Sequence, residues 1–244
     1  MRTLLRDGDR VIGVRSSDGT GQSDVTSRVV VGADGFRSLV ARSVAPGVEH
    51  QEPVRRAMYY GYFSGLMSQD HPAAEFHYRG DELVYVFPCD GDLTLLAVSV
   101  PVAEFPEWKQ DGGRLFMERL RGRSQLVERL MRAELVSRLY GAGDIPGYMR
   151  LPSGPGWVLV GDSGIIMDPF SGQGIDQAAT HAVYLADALH RWLSGEVTWE
   201  TAMAGYHSAR NAFTEKTYLR TCSSARDLRQ ITRAALMRRG LRSP

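Results

Sequence analysis

Residues 157–176 read WVLVGDSGIIMDPFSGQGID, and this stretch decides the fold class. Its apolar start predicts a buried strand that delivers Asp162 to the carboxyl end, where open α/β sheets bind ligands. Gly172 and Gly174 then free the backbone at the start of a helix predicted over 174–193, whose unpaired N–H groups and positive dipole end can hold an electron-rich ligand atom. A glycine-rich turn that only joins a strand to a helix is the alternative.

A second strand, glycine and acid pattern occupies residues 29–38, VVVGADGFRS. Its three valines predict a strand buried on both faces beside a parallel sheet, and the small residues after them allow a close approach to the backbone. Ser38 is placed to cap a following helix, and Arg37 to reach a phosphate. A strand–turn–helix junction without a ligand would explain the same pattern.

The composition favours a folded chain with a small-molecule partner. The 244 residues are 43% hydrophobic, which allows one large domain or two modest ones, and the net charge of +1 creates no field for nucleic acid or anionic membranes. Apolar runs fall far short of the ~20 residues of a membrane span. The N-terminus lacks a secretory signal, and Cys89 and Cys222 make a poor disulfide framework, so we expect a reducing, cytoplasmic setting.

Hydrophobic periodicity predicts the other elements. In chain order they are a β-meander around turns at 7–9 and 18–19, a four-stranded antiparallel block at 56–101, an amphipathic helical stretch at 116–139, a loop at 141–156, the helix at 174–193 and a charged tail.

Together the two motifs resemble the Asp-Gly and Gly-Asp fingerprints of FAD-dependent monooxygenases of the para-hydroxybenzoate hydroxylase-like (aromatic hydroxylase) family, which also includes flavin halogenases and reductases. The resemblance implies an α/β (α+β) fold. It places an incomplete FAD-binding Rossmann-like three-layer domain at 1–45 and 146–195, an antiparallel β-sheet substrate domain with a helix at 46–145, and a C-terminal helical segment at 196–244.

The resemblance also implies the cofactor-binding residues. In the family, the aspartate equivalent to Asp162 binds the ribityl and pyrophosphate region of FAD, the turn before the long helix lies beside the flavin ring, and the Asp-Gly segment is associated with FAD and the nicotinamide. The set carried over is Gly161, Asp162, Pro169, Gly172, Gln173, Gly174, Ile175, Asp34, Gly35 and Arg37. The family often has an arginine where Ala41 stands, and that role is not carried over.

The implied activity is hydroxylation of a small aromatic or polyketide-like substrate through a flavin hydroperoxide, with FAD, NADH or NADPH, and O₂. No catalytic side chain and no metal site are predicted. Aromatic side chains that could line a substrate pocket are Tyr59, Tyr60, Tyr62, Phe63, Phe76, Tyr85 and Phe87. The alternatives are a flavin-dependent reductase or dehydrogenase on the same scaffold and a non-catalytic binding or partner subunit.

The family's N-terminal GxGxxG signature is not found, so the sequence is expected to correspond to the C-terminal two-thirds of such an enzyme. A truncated form, a half completed by a partner chain, and a shortened protein without flavin chemistry all fit. An interrupted sheet would leave an edge unpaired and favour association.

Three other patterns are set aside. The GDSGI of residues 161–165 lacks the second glycine of a nucleophile elbow, and His71 and His77 have no metal-ligand spacing. A C-terminal basic run is interpreted as the solvated face of a helix. Its members are Arg226, Arg229, Arg233, Arg238, Arg239 and Arg242.

Overall fold

The computed structural model describes residues 3–17, 21–66 and 73–232. The chain divides into two compact units, one of Met1–Pro53 with Pro146–Cys222 and the other of Val54–Ile145 with Ser223–Pro244. Residues 196–222 are thus grouped with the first unit, whereas the sequence analysis set 196–244 apart, and the predicted boundaries stay a prediction.

Some sequence predictions lie outside the described residues. They are the turn at 18–19, His71, and the basic residues Arg233, Arg238, Arg239 and Arg242.

The first unit begins with the predicted meander. Strands β1 (Thr3–Asp7), β2 (Arg10–Ser17) and β3 (Gln22–Thr26) pair antiparallel in that order. The turn between β1 and β2 has Gly8 at φ +55°, which suits glycine. The meander is therefore confirmed.

The two motif strands lie side by side. Strands β4 (Val30–Gly32) and β14 (Trp157–Leu159) pair in parallel, and β13 (Ser153–Gly154) adds to β14 antiparallel. A Cβ on Gly32 would lie 2.7 Å from Leu159 Cδ2, so close strand packing requires the glycine. The prediction that β4 is buried on both faces is wrong, because Val31 is 40% exposed and β4 pairs only with β14 in the part of the chain described.

A second small sheet of this unit lies where a loop was predicted. Strand β12 (Gly147–Arg150) pairs antiparallel with β5 (Val48–Glu52) and β15 (Ile165–Ile166). The loop prediction over 141–156 was wrong because glycine and proline flank short runs that pair with distant strands, which local composition does not reveal.

Three helices complete the first unit: α1 (Leu39–Val44), α4 (Gly174–Leu193) and α5 (Trp199–Ala225), of which the part up to Cys222 is grouped with this unit. The helix predicted over 174–193 is confirmed at both ends. Helices α4 and α5 pack on the motif strand β14 through one buried cluster. Its members are Val158, Leu185, Ala188, Ala202, Met203 and Tyr206.

The second unit contains the predicted antiparallel block. Its strands are β6 (Arg56–Ser64), β7 (Glu75–Arg79), β8 (Glu82–Pro88), β9 (Thr94–Pro101), β10 (Glu134–Leu135) and β11 (Tyr140–Ala142). They form one sheet with the order β10-β6-β9-β8-β7, and β11 also pairs with β6.

Helices α2 (Phe105–Arg121) and α3 (Ser124–Leu130) cover one face of this sheet, with Trp108, Leu120 and Leu126 buried against it. The single helical stretch predicted over 116–139 is corrected. The helix starts earlier, breaks between α2 and α3, and ends at Leu130 because the following residues pair with β6. No helix in the described ranges is long and apolar enough to cross a membrane.

Candidate functional site

Asp162 lies in a tight turn directly after the buried strand β14. Residues Gly161–Ser163 form one 3-10 turn, and Gly161 has φ +62°. A Cβ on Gly161 would lie 3.2 Å from Ala178 Cβ on α4, so glycine provides both the left-handed backbone and the close approach to the helix. The turn therefore holds Asp162 against the first turns of α4.

Hydrogen bonds tie this turn to the first motif. The Ser163 hydroxyl bonds to the carbonyl of Gly32, and the Val160 N–H donates to Ser163 Oγ at 3.1 Å. The Tyr148 hydroxyl lies 2.7 Å from the Asp162 carbonyl and 3.1 Å from the Phe36 carbonyl, so one buried tyrosine spans both motif loops. Burial raises the pKa of Tyr148 to about 12, which keeps this donor protonated.

Arg150 completes the support beneath the turn. Its Nη1 donates to the Ser163 carbonyl at 2.8 Å, and its guanidinium lies 3.8 Å from the centre of the Tyr148 ring. Both residues belong to β12, in the segment predicted as loop. Neither residue is among the predicted site residues, because nothing local in the sequence indicates that this strand runs under the motif turn.

The Asp162 carboxylate itself is half-buried, and it accepts no hydrogen bond within the described ranges. Burial raises its pKa above the usual value, because removing the charged form from water is unfavourable. A half-buried carboxylate without an internal donor is available to a ligand that carries hydrogen-bond donors.

A cavity of about 460 Å³ opens beside this carboxylate. It is lined by Ala33, Gly35, Val160, Gly161, Asp162, Gly174, Ile175, Ala178 and Ala182. Five predicted residues from both motifs therefore meet at one cavity. Ala178 and Ala182 were missed, although their spacing of four and eight residues from Gly174 is the signal of one helix face.

The start of α4 borders the same cavity with backbone N–H groups that no carbonyl of the helix accepts. Gln173 precedes the helix and makes no side-chain capping bond, and the first helical bond to it comes from Gln177 N at 3.0 Å. The N–H groups of the first turn, at Gly174 and Ile175, thus have no acceptor in the helix. A Cβ on Gly174 would meet no atom within 4 Å, so this backbone is open to a ligand.

Three predicted site residues shape the loop before α4 and do not line the cavity. Pro169 begins a 3-10 turn that Asp168 caps through the Phe170 N–H at 3.1 Å. Gly172 ends that turn in the left-handed conformation, with φ +67°, and Gln173 follows it. They set where α4 begins.

In the first motif, Asp34 is engaged by its own helix. Its Oδ2 accepts from the N–H groups of Leu39 at 2.6 Å and Val40 at 3.3 Å. Partial burial opposes the charge, but the hydrogen bonds from Ser38 and these N–H groups prevail and lower its pKa. Ser38 Oγ accepts from Ala41 N at 2.9 Å, which confirms the predicted cap.

Arg37 is exposed and does not line the cavity. Its guanidinium lies 5.0 Å from the centre of the Phe36 ring. The position expected to reach a phosphate is therefore beside the loop and not inside the cavity.

The predicted aromatic set separates by sheet face. Tyr59 and Phe63 point to the helices, where Tyr59 stacks 4.9 Å from Trp108, so these two belong to the core. Register places Tyr60 and Tyr85 opposite Ala97 on the other face. Tyr62, Phe76 and Phe87 share that face.

Potential metal ligands do not cluster in groups of three or more in the described part of the chain. His77 is held by Glu75, with Nε2 2.9 Å from the carboxylate.

Neither a protein-family model nor a curated protein matches the sequence. Among solved structures, the FAD-dependent myxobacterial chondrochloren halogenase CndH is similar, with a TM-score of 0.81 and 19% identity over 98% of this chain and 60% of its own. PqsL, a probable FAD-dependent monooxygenase from Pseudomonas aeruginosa, has a TM-score of 0.68 and 26% identity, over 92% of this chain and 63% of its own. CabE, an aromatic hydroxylase from angucycline biosynthesis, has a TM-score of 0.67 and 22% identity, over 96% of this chain and 48% of its own.

The chain has the fold of these flavin-dependent halogenases and FAD-dependent monooxygenases, which confirms the resemblance and the mixed α/β fold class expected from the two motifs. It spans 48% to 63% of the length of the three proteins.

Proposed function

From the fold shared with flavin-dependent halogenases and monooxygenases, we propose that this chain binds FAD in the cavity beside Asp162 and is part of an FAD-dependent oxidoreductase. One observation carries the proposal. The Asp162 carboxylate is half-buried, lines the cavity and has no hydrogen-bond donor in the described ranges. Such a group costs free energy until a ligand with hydroxyl or N–H donors satisfies it.

The residues around the cavity fit a flavin cofactor. Asp162 would accept hydrogen bonds from the ribityl hydroxyls, and the first-turn N–H groups of Gly174 and Ile175 would donate to the electron-rich pyrimidine edge of the ring. Gly35 and Gly174 leave space beside the backbone, since an added Cβ would meet no atom within 4 Å at either position. Bound FAD would supply electron transfer and reactivity with O₂.

The reaction we propose is hydroxylation of a small aromatic or polyketide-like substrate, with NADH or NADPH as the reductant. Support comes from the likeness to PqsL and CabE and from the aromatic face of the second unit. On that face Phe76, Tyr85 and Phe87 form mutual edge-on contacts with ring centres 5.5 or 5.6 Å apart. Such a face suits an aromatic substrate.

Halogenation is the second candidate, because the halogenase CndH superimposes with a TM-score of 0.81. The two reactions differ in what they require. A hydroxylase consumes O₂ when its substrate is added and forms an oxygenated product without halide, whereas a halogenase forms product only with bromide or chloride. A reductase would oxidise the nicotinamide with no oxygen atom in the product.

The test is titration of the purified chain with FAD, followed by flavin absorbance and fluorescence. We expect saturable binding by the parent, and binding about tenfold weaker in Asp162→Asn because a charged hydrogen-bond acceptor is lost. Asp187→Asn is the matched control, since it makes the same change on the exposed face of α4 away from this cavity.

Two results would contradict FAD binding at this site. One is a chain that shows no change in flavin absorbance or fluorescence at any FAD concentration. The other is equal binding by Asp162→Asn and Asp187→Asn, which would place the flavin elsewhere.

A further inference from the structure

A buried row of polar side chains joins α4 to α5 in the first unit. His181 Nε2 lies 2.7 Å from Thr214 Oγ1, and Thr214 Oγ1 lies 2.5 Å from Gln177 Oε1. The three residues are 1%, 0% and 6% exposed, respectively. Buried polar atoms are costly unless they are paired, and in this row they are paired with one another.

The bond lengths indicate which groups donate and which accept in this row of hydrogen bonds. The Thr214 hydroxyl has one proton, and the 2.5 Å separation from Gln177 matches an O–H···O bond and is too short for an amide N–H donor. Thr214 therefore donates to Gln177. Its oxygen must then accept from His181, which requires the tautomer with the proton on Nε2.

The other ring nitrogen supports the same tautomer. Nδ1 of His181 is inaccessible and has no hydrogen-bond partner in the described ranges. If the row ran the other way, Nδ1 would carry the proton, and a buried N–H would lack an acceptor. Orphaned donors are rarer in proteins than under-satisfied acceptors. The row thus runs from His181 through Thr214 to Gln177.

We propose that His181 and Thr214 are positioning residues that fix Gln177 and, through it, the first turn of α4 at the cavity. This inference rests on the proposed flavin site, because it assigns the row to the site's backbone donors. Gln177 closes the first hydrogen bond of the helix, with its N–H 3.0 Å from the Gln173 carbonyl. Because Thr214 on α5 holds the Gln177 side chain, it determines where Gly174 and Ile175 present their N–H groups.

The direct test is amide hydrogen exchange of residues 177–181 without added FAD. Thr214→Val keeps the side-chain shape and removes the hydroxyl, so we expect exchange there to become about tenfold faster or more. Thr214→Ser keeps the hydroxyl and should exchange like the parent. Thr221→Val is the matched control, since Thr221 is also buried on α5, two turns further along.

The tautomer gives a second readout that a merely space-filling role would not change. Nitrogen-15 shifts of the His181 ring should show a protonated Nε2 and a bare Nδ1 in the parent and in Thr214→Ser. In Thr214→Val, which has no acceptor for Nε2–H, this preference should decrease. FAD titration of the same variants should show binding about three- to tenfold weaker for Thr214→Val only.

The inference is overturned if Thr214→Val exchanges like the parent over 177–181, if Thr221→Val accelerates exchange there equally, or if the parent ring carries its proton on Nδ1. A parent that shows the expected exchange pattern and tautomer but binds no FAD would contradict the proposed function and leave the fixing of α4 intact.

Discussion

Two loops of the first unit have the same local plan, a strand, a glycine and an aspartate, yet their aspartates are used differently. Asp34 follows β4 and accepts from the N–H groups of Leu39 and Val40, so its carboxylate completes its own helix. Asp162 follows β14, and its carboxylate accepts no hydrogen bond within the described ranges. The difference shows that the same local pattern can leave its carboxylate either bonded to a helix or open to a cavity.

The distance along the chain to the next helix explains the difference. After Asp34, α1 begins five residues later, and the left-handed conformation of Gly35 brings the first N–H groups of α1 to the Asp34 carboxylate. After Asp162, the chain makes a 3-10 turn and the short strand β15, and α4 begins only at Gly174. The N–H groups of α4 are therefore left for the cavity.

The largest effect should come from Asp162→Ala, which we expect to weaken FAD binding about a hundredfold because charge-assisted hydrogen bonds are lost. Stability without FAD should stay equal or rise, since a half-buried carboxylate without a donor is removed. Calorimetric titration and thermal unfolding would measure both. Asp34→Ala is the matched variant. If it loses as much FAD affinity as Asp162→Ala, the proposed difference between the two aspartates is wrong.

Gly161→Ala should reduce the free energy of unfolding by about 2 kcal/mol. A side chain is strained at φ +62°, and its Cβ would also crowd Ala178 at 3.2 Å. Gly35→Ala, with φ +75° and no neighbour within 4 Å, should show the strain alone, about 1 kcal/mol. Urea unfolding of both variants measures the difference, and equal losses would mean that the contact with α4 is not tight.

Asp34→Ala should cost about 1 kcal/mol of stability, the usual loss when a helix loses side-chain capping. Denaturant unfolding at neutral pH would measure it. An unchanged unfolding midpoint would mean that Ser38, which bonds to Ala41 N, caps α1 without help from the aspartate.

Sequence patterns predicted what depends on local chemistry. The buried strand that begins at Trp157, the helix from Gly174 to Leu193 and the cap at Ser38 follow from periodicity, glycine placement and capping, and the structure shows all three. Five of the predicted cofactor residues meet at one cavity because both motif strands end at the same edge of the parallel pair.

Long-range pairing could not be predicted in the same way. Tyr148 and Arg150 support the motif turn from β12, a strand that exists because it pairs with β5, about 100 residues earlier. Likewise, Tyr59 and Tyr60 are neighbours in sequence, but only the cross-strand register shows which of them enters the core. For Asp34, the pattern does not show that two helix N–H groups already bond to its carboxylate, and its predicted part in FAD binding stays a prediction.

The smallest effect, below about 1 kcal/mol, is on the free energy of unfolding as a function of pH, to which Asp34 and Asp162 contribute with opposite signs. The pKa of Asp34 is lowered from 3.8, so its stabilisation is present above that value and is lost as the pH falls through the folded pKa. The pKa of Asp162 is raised from 3.8, so its favourable contribution is present below that value and is lost as the pH rises through the folded pKa.

Urea unfolding of the parent, Asp34→Asn and Asp162→Asn without FAD would measure both slopes across acidic pH. His181, whose pKa is lowered from 6.5 to about 4 by burial and by the Arg210 charge, destabilises all three proteins as the pH falls below 6.5. Its contribution therefore cancels when each variant is subtracted from the parent. The parent's advantage over Asp34→Asn should shrink on acidification, and its advantage over Asp162→Asn should shrink as the pH rises. Slopes of the same sign would show that Asp162, like Asp34, has a donor within the protein.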